Sequence, residues 1–197
     1  MELAILSRHG ESEYSARGLM NGDTSVRVPL SERGIREAEA MGGALAQEQI
    51  DLCVTSEFQR ARETADIALG GRDVPRIVMP ELNDPLYGRF EGADIDAFRE
   101  WATSAPSTER AEPGGESRLE IVDRYAAGYR KVLDRPERTI LVVCHSLPVS
   151  YALGAREGKS PSARVPLADH ATPYPFTYEE LDRVVRLLQE WVASPTF

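Results

Sequence analysis

The chain holds few of the residues on which several common chemistries depend. In 197 residues it has two cysteines, Cys53 and Cys144, both inside apolar runs, and three histidines, His9, His145 and His170. Two buried-type cysteines exclude a disulfide framework and suit a reducing compartment. Neither they nor the scattered histidines have the close spacing of zinc ligands, so no metal is expected. No apolar run approaches transmembrane length, and the first strand pattern begins almost at Met1, leaving no room for a signal or transit peptide. The expectation is a cytoplasmic protein. Basic residues number 23 against 32 acidic ones, and the net charge of −9 argues against nucleic-acid or anionic-membrane partners. No G-x-S-x-G elbow is present for a serine hydrolase. Gly154 to Ser160 (G-A-R-E-G-K-S) imitates a P-loop but is one residue short between its glycines and follows a helix rather than a strand. Cys53 and Arg60 imitate a cysteine-phosphatase loop, at an interval one residue too long.

What remains is ordinary globular material, 42% hydrophobic and 28% charged, enough for a single domain over residues 1–197. Short apolar strands at 3–8, 51–56, 76–79 and 139–144 alternate with helical patterns. Ser31 heads a helix running to Leu45, Ser56 is expected to cap one that stops at Gly70-Gly71, and a short helix fits Asp94 to Thr103. Ser117 to Leu133 and Tyr178 to Val192 read as amphipathic helices, and Pro148 suits the first turn of another. Residues 13–29 and 80–92 read as loops and 103–117 as a mobile flap, while 157–176, with four prolines, yields no assignment. The alternation predicts an α/β three-layer sandwich, a largely parallel sheet with helices on both faces.

Two histidines stand directly after strands. Leu3 to Ser12 reads L-A-I-L-S-R-H-G-E-S, and Thr139 to His145 reads T-I-L-V-V-C-H. In a parallel sheet both would emerge at the carboxyl edge, where α/β proteins bind ligands. Arg60, in the first turn after the second strand, reaches the same edge. Two arginines, two histidines and several helix N-termini converging there match the needs of a phosphoryl dianion. Asp84, on the loop after the third strand, could supply an acid. His170, in the proline-rich segment, is read as a surface residue.

The chain resembles the histidine phosphatase (phosphoglycerate mutase-like) superfamily. R-H-G-E-S at Arg8 to Ser12, Pro29-Leu30-Ser31 with Gly34, Ser56 through Arg60-Ala61 to Thr64-Ala65, Leu82 to Gly92, Gly114 to Ser117 and Val143 to His145 match its blocks in order, over residues 1–155. The resemblance implies a metal- and cofactor-independent phosphomonoesterase of the histidine acid phosphatase type. His9 would be the nucleophile that becomes a phosphohistidine. Arg8, Arg60 and His145 would hold phosphate oxygens, and Asp84 would protonate the leaving oxygen, with Glu81 and Glu91 as alternatives for that acid. Ser15, Asn21, Gly22 and Ser146 are the candidate substrate-binding residues; Ser15 stands where many members carry Asn, and Ser146 where Gly is common. The implied partner is a small phosphorylated metabolite, with self-association into a homodimer left open. Phosphoglycerate mutase-type transfer is the rival activity, disfavoured by a chain too short for the mutases' inserted segment. A non-catalytic phospho-ligand binding protein is a second rival.

Overall fold

The apolar runs that end in His9 and His145 are neighbouring strands. The computed structural model, which describes residues 1–197, aligns β1 (Leu3–Arg8) in parallel with β4 (Thr139–Cys144), and Arg8 lies opposite Cys144. The two histidines therefore leave the sheet side by side, and the His9 amide donates to the Cys144 carbonyl at 2.9 Å. β2 (Leu52–Thr55) and β3 (Arg76–Val78) extend the parallel part, and β5 (Tyr174–Thr177) pairs antiparallel with β1, giving the order β3-β2-β4-β1-β5. Pro175 is tolerated because β5 is an edge strand, where a missing N–H breaks no inner ladder.

Strand alternation divides the core into two layers. Ala4, Leu6, Leu52, Val54, Ile140 and Val142 pack with α5 (Arg118–Leu133), α6 (Ser146–Arg156) and α7 (Tyr178–Ala193). Ile5, Cys53, Leu141 and Val143 turn the other way, onto α2 (Glu32–Ala44) and α3 (Gln59–Leu69). Helices on both faces of the sheet make the expected three-layer α/β sandwich. Each fully buried aliphatic side chain in these layers contributes about 1.5–3 kcal/mol from apolar burial.

The helix boundaries have local causes. Ser31 caps α2, its Oγ accepting from the Gly34 amide at 3.1 Å, and capping boxes start α5 (Ser117 with Glu120) and α7 (Thr177 with Glu180). Gly70, at φ 55°, ends α3. Gly10 is required by close approach: a Cβ there would lie 2.4 Å from the Gly34 carbonyl in the first turn of α2.

Several expectations need correction. The loop after β1 contains a short helix, α1 (Glu13–Ala16), because the Ser12 hydroxyl accepts from the Ser15 amide at 3.1 Å. Ser56 does not cap α3. That helix starts after Phe58 with no side-chain cap; the Ser56 hydroxyl accepts from the Phe58 amide at 3.4 Å and bonds His145 Nε2 at 2.8 Å. Asp94 is the cap of α4 (Ile95–Ser104), not its first residue. The stretch 103–117 is tied to the body: the Ser107 amide donates to the Phe197 carbonyl at 3.1 Å, and the Leu119 amide to the Ser107 carbonyl at 2.9 Å. No helix is long and apolar enough to cross a membrane.

Candidate active site

The carboxyl edge of the sheet gathers the residues that the pattern singled out. His9 is held by its own turn. Its Nδ1–H donates to the Gly10 carbonyl at 2.7 Å, and the Gly10 amide donates to the Thr64 hydroxyl of α3 at 2.9 Å. That bond assigns the ring's proton to Nδ1 and leaves the lone pair on Nε2, which accepts from Nε of Arg60 at 3.1 Å. Burial pushes the His9 pKa well below the usual histidine value, and nearby Arg60, His145 and Arg8 push it further. The ring is therefore a neutral imidazole with Nε2 facing the centre of the site.

Arg60 is the hub. Projecting from the first turn of α3, it is almost fully buried and stacks over Phe58 at 4.2 Å. Beyond its bond to His9, Nη1 donates to Oδ1 of Asn21 at 2.5 Å, and Nη2 donates to the Asn21 carbonyl at 3.0 Å and to Asp84 Oδ2 at 2.9 Å. Each of its three nitrogens thus bonds inside the site, as the planar fork of a guanidinium permits.

His145 is fully buried at the N-cap of α6. Its Nδ1 lies 3.2 Å from Asp84 Oδ2 and its Nε2 lies 2.8 Å from the Ser56 hydroxyl. Burial carries its pKa down to about 4, only partly opposed by Asp84. In the neutral ring, Nδ1–H donates to Asp84 and Nε2 accepts from Ser56. Burial alone would raise the Asp84 carboxyl, but His145 and Arg60 together outweigh it and hold it well below the usual carboxylate range. Arg60, charged throughout, is the partner that keeps Asp84 ionised.

Arg8 reaches across to the loop before β5, donating from Nη1 to the Ala168 carbonyl at 3.0 Å. The same loop is fastened to α6, since the Ala168 amide lies 3.2 Å from the Ser146 hydroxyl and 3.0 Å from that of Ser150. Ser146 opens α6, so its own amide is one of the first-turn N–H groups without an intrahelical partner. Ser15 also lines the site, its hydroxyl 2.9 Å from that of Ser12.

At Gly22 the amide donates to Glu91 Oε2 at 2.8 Å, and a Cβ there would meet the Pro85 carbonyl at 1.9 Å, so close packing requires a glycine next to Asn21. Glu91 is committed to main chain, accepting also from the Tyr87 amide at 2.8 Å, and Glu81 pairs with Lys131 at 2.6 Å. Of the three acids considered, Asp84 alone lines the cavity. Both cysteines sit in the core, where burial pushes each thiol up to about 12, so neither offers a thiolate.

The sequence reading missed three neighbours. Ser56 reads as a cap in sequence, although its position at a strand end marks the same edge. Tyr87, buried against Asp84, lines the wall and carried no signal beyond its loop. His170, expected at the surface, is only partly exposed. A backbone bridge sets it beside Arg8, and its ring centroid lies 6.0 Å from that of His9.

Outward from these groups lies a cavity of about 980 Å³. Its wall mixes apolar side chains, Leu19, Met20, Ile95, Phe98, Leu147 and Val165 from the loop after β1, α4, α6 and the segment before β5, with charged ones such as Arg99, Arg118 and Arg164.

A buried imidazole, two arginines, a second histidine and a carboxylate thus stand together at one sheet edge. The model of the histidine phosphatase superfamily (branch 1) matches residues 4–190. The chain belongs to that superfamily. Among relatives, the adenosylcobalamin/alpha-ribazole phosphatase of Salmonella typhimurium is 37% identical over 106 residues, 50% of this chain and 52% of that one. The chain thus spans about half the length of this relative. The 2,3-bisphosphoglycerate-dependent phosphoglycerate mutase of a Methylobacterium strain is 36% identical over 158 residues, covering 73% of this chain and 74% of the other. Among solved structures, Bacillus stearothermophilus YhfR superposes with a TM-score of 0.76 at 26% identity, over 88% of this chain and 89% of that one. The alpha-ribazole phosphatase of Shigella flexneri gives 0.72 at 25% identity, over 88% and 89%. These histidine phosphatase relatives thus include both phosphatases and mutases by name.

Proposed function

We propose that the protein is a metal-independent phosphomonoesterase of the histidine acid phosphatase type, acting on a small organic phosphate. The observation that carries the reading is the unprotonated Nε2 of His9, aimed at the centre of the site among Arg8, Arg60 and His145. In the first step the Nε2 lone pair forms a bond to phosphorus while the bond to the ester oxygen breaks, and Asp84 delivers a proton to that oxygen. The alcohol leaves and a phosphoramidate remains on His9. In the second step water attacks phosphorus, Asp84 takes its proton, and inorganic phosphate departs with the Nε2 lone pair restored.

Asp84 is ionised where it grips Arg60 and His145, so it must be freed before it can act as an acid. A phosphoryl dianion does this by electrostatics. Its oxygens compete for Arg60 and His145, and its negative charge beside the carboxylate raises the Asp84 pKa. Arg8 and Arg60 meanwhile offset charge on the equatorial oxygens, where buried cations act at low dielectric. The apolar part of the outer wall supports a substrate whose organic part buries apolar surface there, beside charged groups such as Arg99, Arg118 and Arg164 that favour a polar or anionic substituent.

Mutase-type transfer is the second reading, favoured by the Methylobacterium relative. Steady-state turnover of an aryl phosphate, with and without a hydroxylated acceptor, separates the two. A hydrolase releases inorganic phosphate in step with the phenol in either case. A mutase returns the phosphoryl group to the acceptor and yields little free phosphate.

A further inference from the structure

His170 stands where a histidine has no structural need to be. Five buried side-chain polar atoms of the protein lack a hydrogen-bond partner, and the only nitrogens among them are Nε of Arg8 and Nε2 of His170. Buried polar groups are normally satisfied, so an unpartnered pair calls for a cause. The two residues are adjacent: Arg8 and His170 form a parallel backbone bridge, and the Ala171 amide donates to the Arg8 carbonyl at 2.9 Å. Both side chains line the main cavity, and both also line a smaller pocket of about 350 Å³.

The loop that carries His170 is built to hold it there. It is fastened through the Ala168 amide to Ser146 and Ser150, through the Asp169 amide to the Tyr174 hydroxyl at 3.2 Å, and through Thr172 Oγ1 to the His170 carbonyl at 3.1 Å. The next residue, Ala171, is the one non-glycine in the chain with a positive φ, 43°. Strain of that kind persists where the surroundings over-determine the backbone, and it concentrates at functional sites. The other side of the ring gives no explanation, since Nδ1 is 3.8 Å from Glu37 Oε2, too far for a hydrogen bond.

We propose that His170 is a further phosphoryl-oxygen ligand: its Nε2–H and the Nε–H of Arg8 converge on one non-bridging oxygen of the group carried by His9. This rests on the phosphoryl-transfer reading above. The imidazole serves as a neutral donor, because burial first and Arg8 second take its pKa down to about 4. Nε2 of His170 is closed off from solvent, so a phosphoryl oxygen that reaches it displaces the side chains packed over it. A ligand from this loop would join the edge strand side of the sheet to a phosphate cradle otherwise built from the loops after β1, β2 and β4.

The test uses orthovanadate as the probe, with protein labelled with ¹⁵N at its three histidines. Saturating vanadate is expected to bring out a protected, hydrogen-bonded Nε2–H signal from His170, assigned by its loss in His170→Gln. Vanadate affinity should fall about 10- to 100-fold in His170→Leu, the loss of one hydrogen bond to a charged acceptor, and be largely retained in His170→Gln, which keeps an N–H donor. An unchanged His170 ring signal, with equal affinities in wild type and His170→Leu or with equal losses in both variants, overturns the proposal. If His170→Leu does not fold, the ring signal of the wild type decides alone. Vanadate binding that is absent in wild type, or unaffected by His9→Ala, counts instead against the phosphoryl-transfer reading and removes this inference with it.

Discussion

The inner and outer halves of the cavity are built on different principles. The inner end rests on the ends of β1, β2 and β4, and its side chains are locked to one another: Arg60 alone bonds His9, Asn21 and Asp84. Strands paired in register fix where Arg8, His9, Ser56 and His145 stand. The outer wall comes from the loop after β1, α4, α6 and the segment before β5, and it meets the cavity with apolar side chains such as Phe98 and Val165 beside charged ones such as Arg99 and Arg164. Its contacts there are packing and aromatic edges, as where Phe98 lies 4.9 Å from Tyr87. The difference teaches a division of labour. The sheet edge sets the chemistry with directional bonds, and the wall selects the organic group by shape and burial, which loops can change without disturbing the core.

Breaking the inner end should have the largest effect. Arg60→Ala removes a cation from His9 and Asp84 at once, and turnover should drop about 10³- to 10⁵-fold, in the range of other arginines that stabilise phosphoryl transfer. A loss of under tenfold in a rapid-quench assay would show that the hub is dispensable.

Asp84→Asn comes next. It keeps shape and hydrogen bonding but has no proton to give, and should cost about 10²- to 10⁴-fold on alkyl phosphates. The loss should shrink on aryl phosphates with good leaving groups, which need little protonation. Equal losses on both substrate types would make Asp84 a positioning group only. Glu81→Gln and Glu91→Gln serve as comparisons, and both should retain the leaving-group pattern of wild type.

At the outer wall the effect should be smaller and of another kind. Phe98→Ala should weaken kcat/KM for a bulky aromatic phosphate by about 10-fold, in line with lost apolar contact, and leave a small phosphate ester nearly unchanged. A uniform fall on both substrates would dissolve the distinction between the two halves.

The mildest probe is pH-dependent stability. The folded-state pKa values of all three histidines lie below the unfolded value: His145 and His170 at about 4 and His9 well below its usual value, in each case chiefly through burial. Between the unfolded value near 6.5 and the folded ones, the unfolded chain binds more protons. Stability should therefore be complete above about pH 6.5 and fall as the pH drops, by up to about 1.4 kcal/mol per pH unit for each histidine. Urea midpoints from pH 7 to 5 measure it, and replacing His145 by Gln should flatten the slope by one proton. An unchanged slope would mean that the inner end is wetter and less tightly closed than its bonds imply.

The inner end was also the legible half. An apolar run closing on R-H-G, and another closing on His145, identify strand ends by pattern alone, and one rule about parallel sheets brings them together. The resemblance rested on the same motifs, and the family match over residues 4–190 bears it out. Gly22 is ambiguous in sequence because a glycine needed for close packing, as the Pro85 carbonyl requires here, and one needed near a ligand look alike. Ser56 was misread because a serine before a helix has a default role, and only the fold shows that His145 claims its hydroxyl. His170 was unreadable because its loop is irregular. Its position follows from a backbone bridge to a strand about 160 residues earlier, which no local period encodes.

The central claim is that Nε2 of His9 takes the phosphoryl group. Incubation with an aryl phosphate, rapid quenching at alkaline pH and peptide mapping by mass spectrometry test it directly. The account predicts one phosphorylated peptide, containing His9, whose label survives alkali, is lost in mild acid, and is absent from His9→Ala. An acid-stable phosphoester, or equal labelling in His9→Ala, would contradict it.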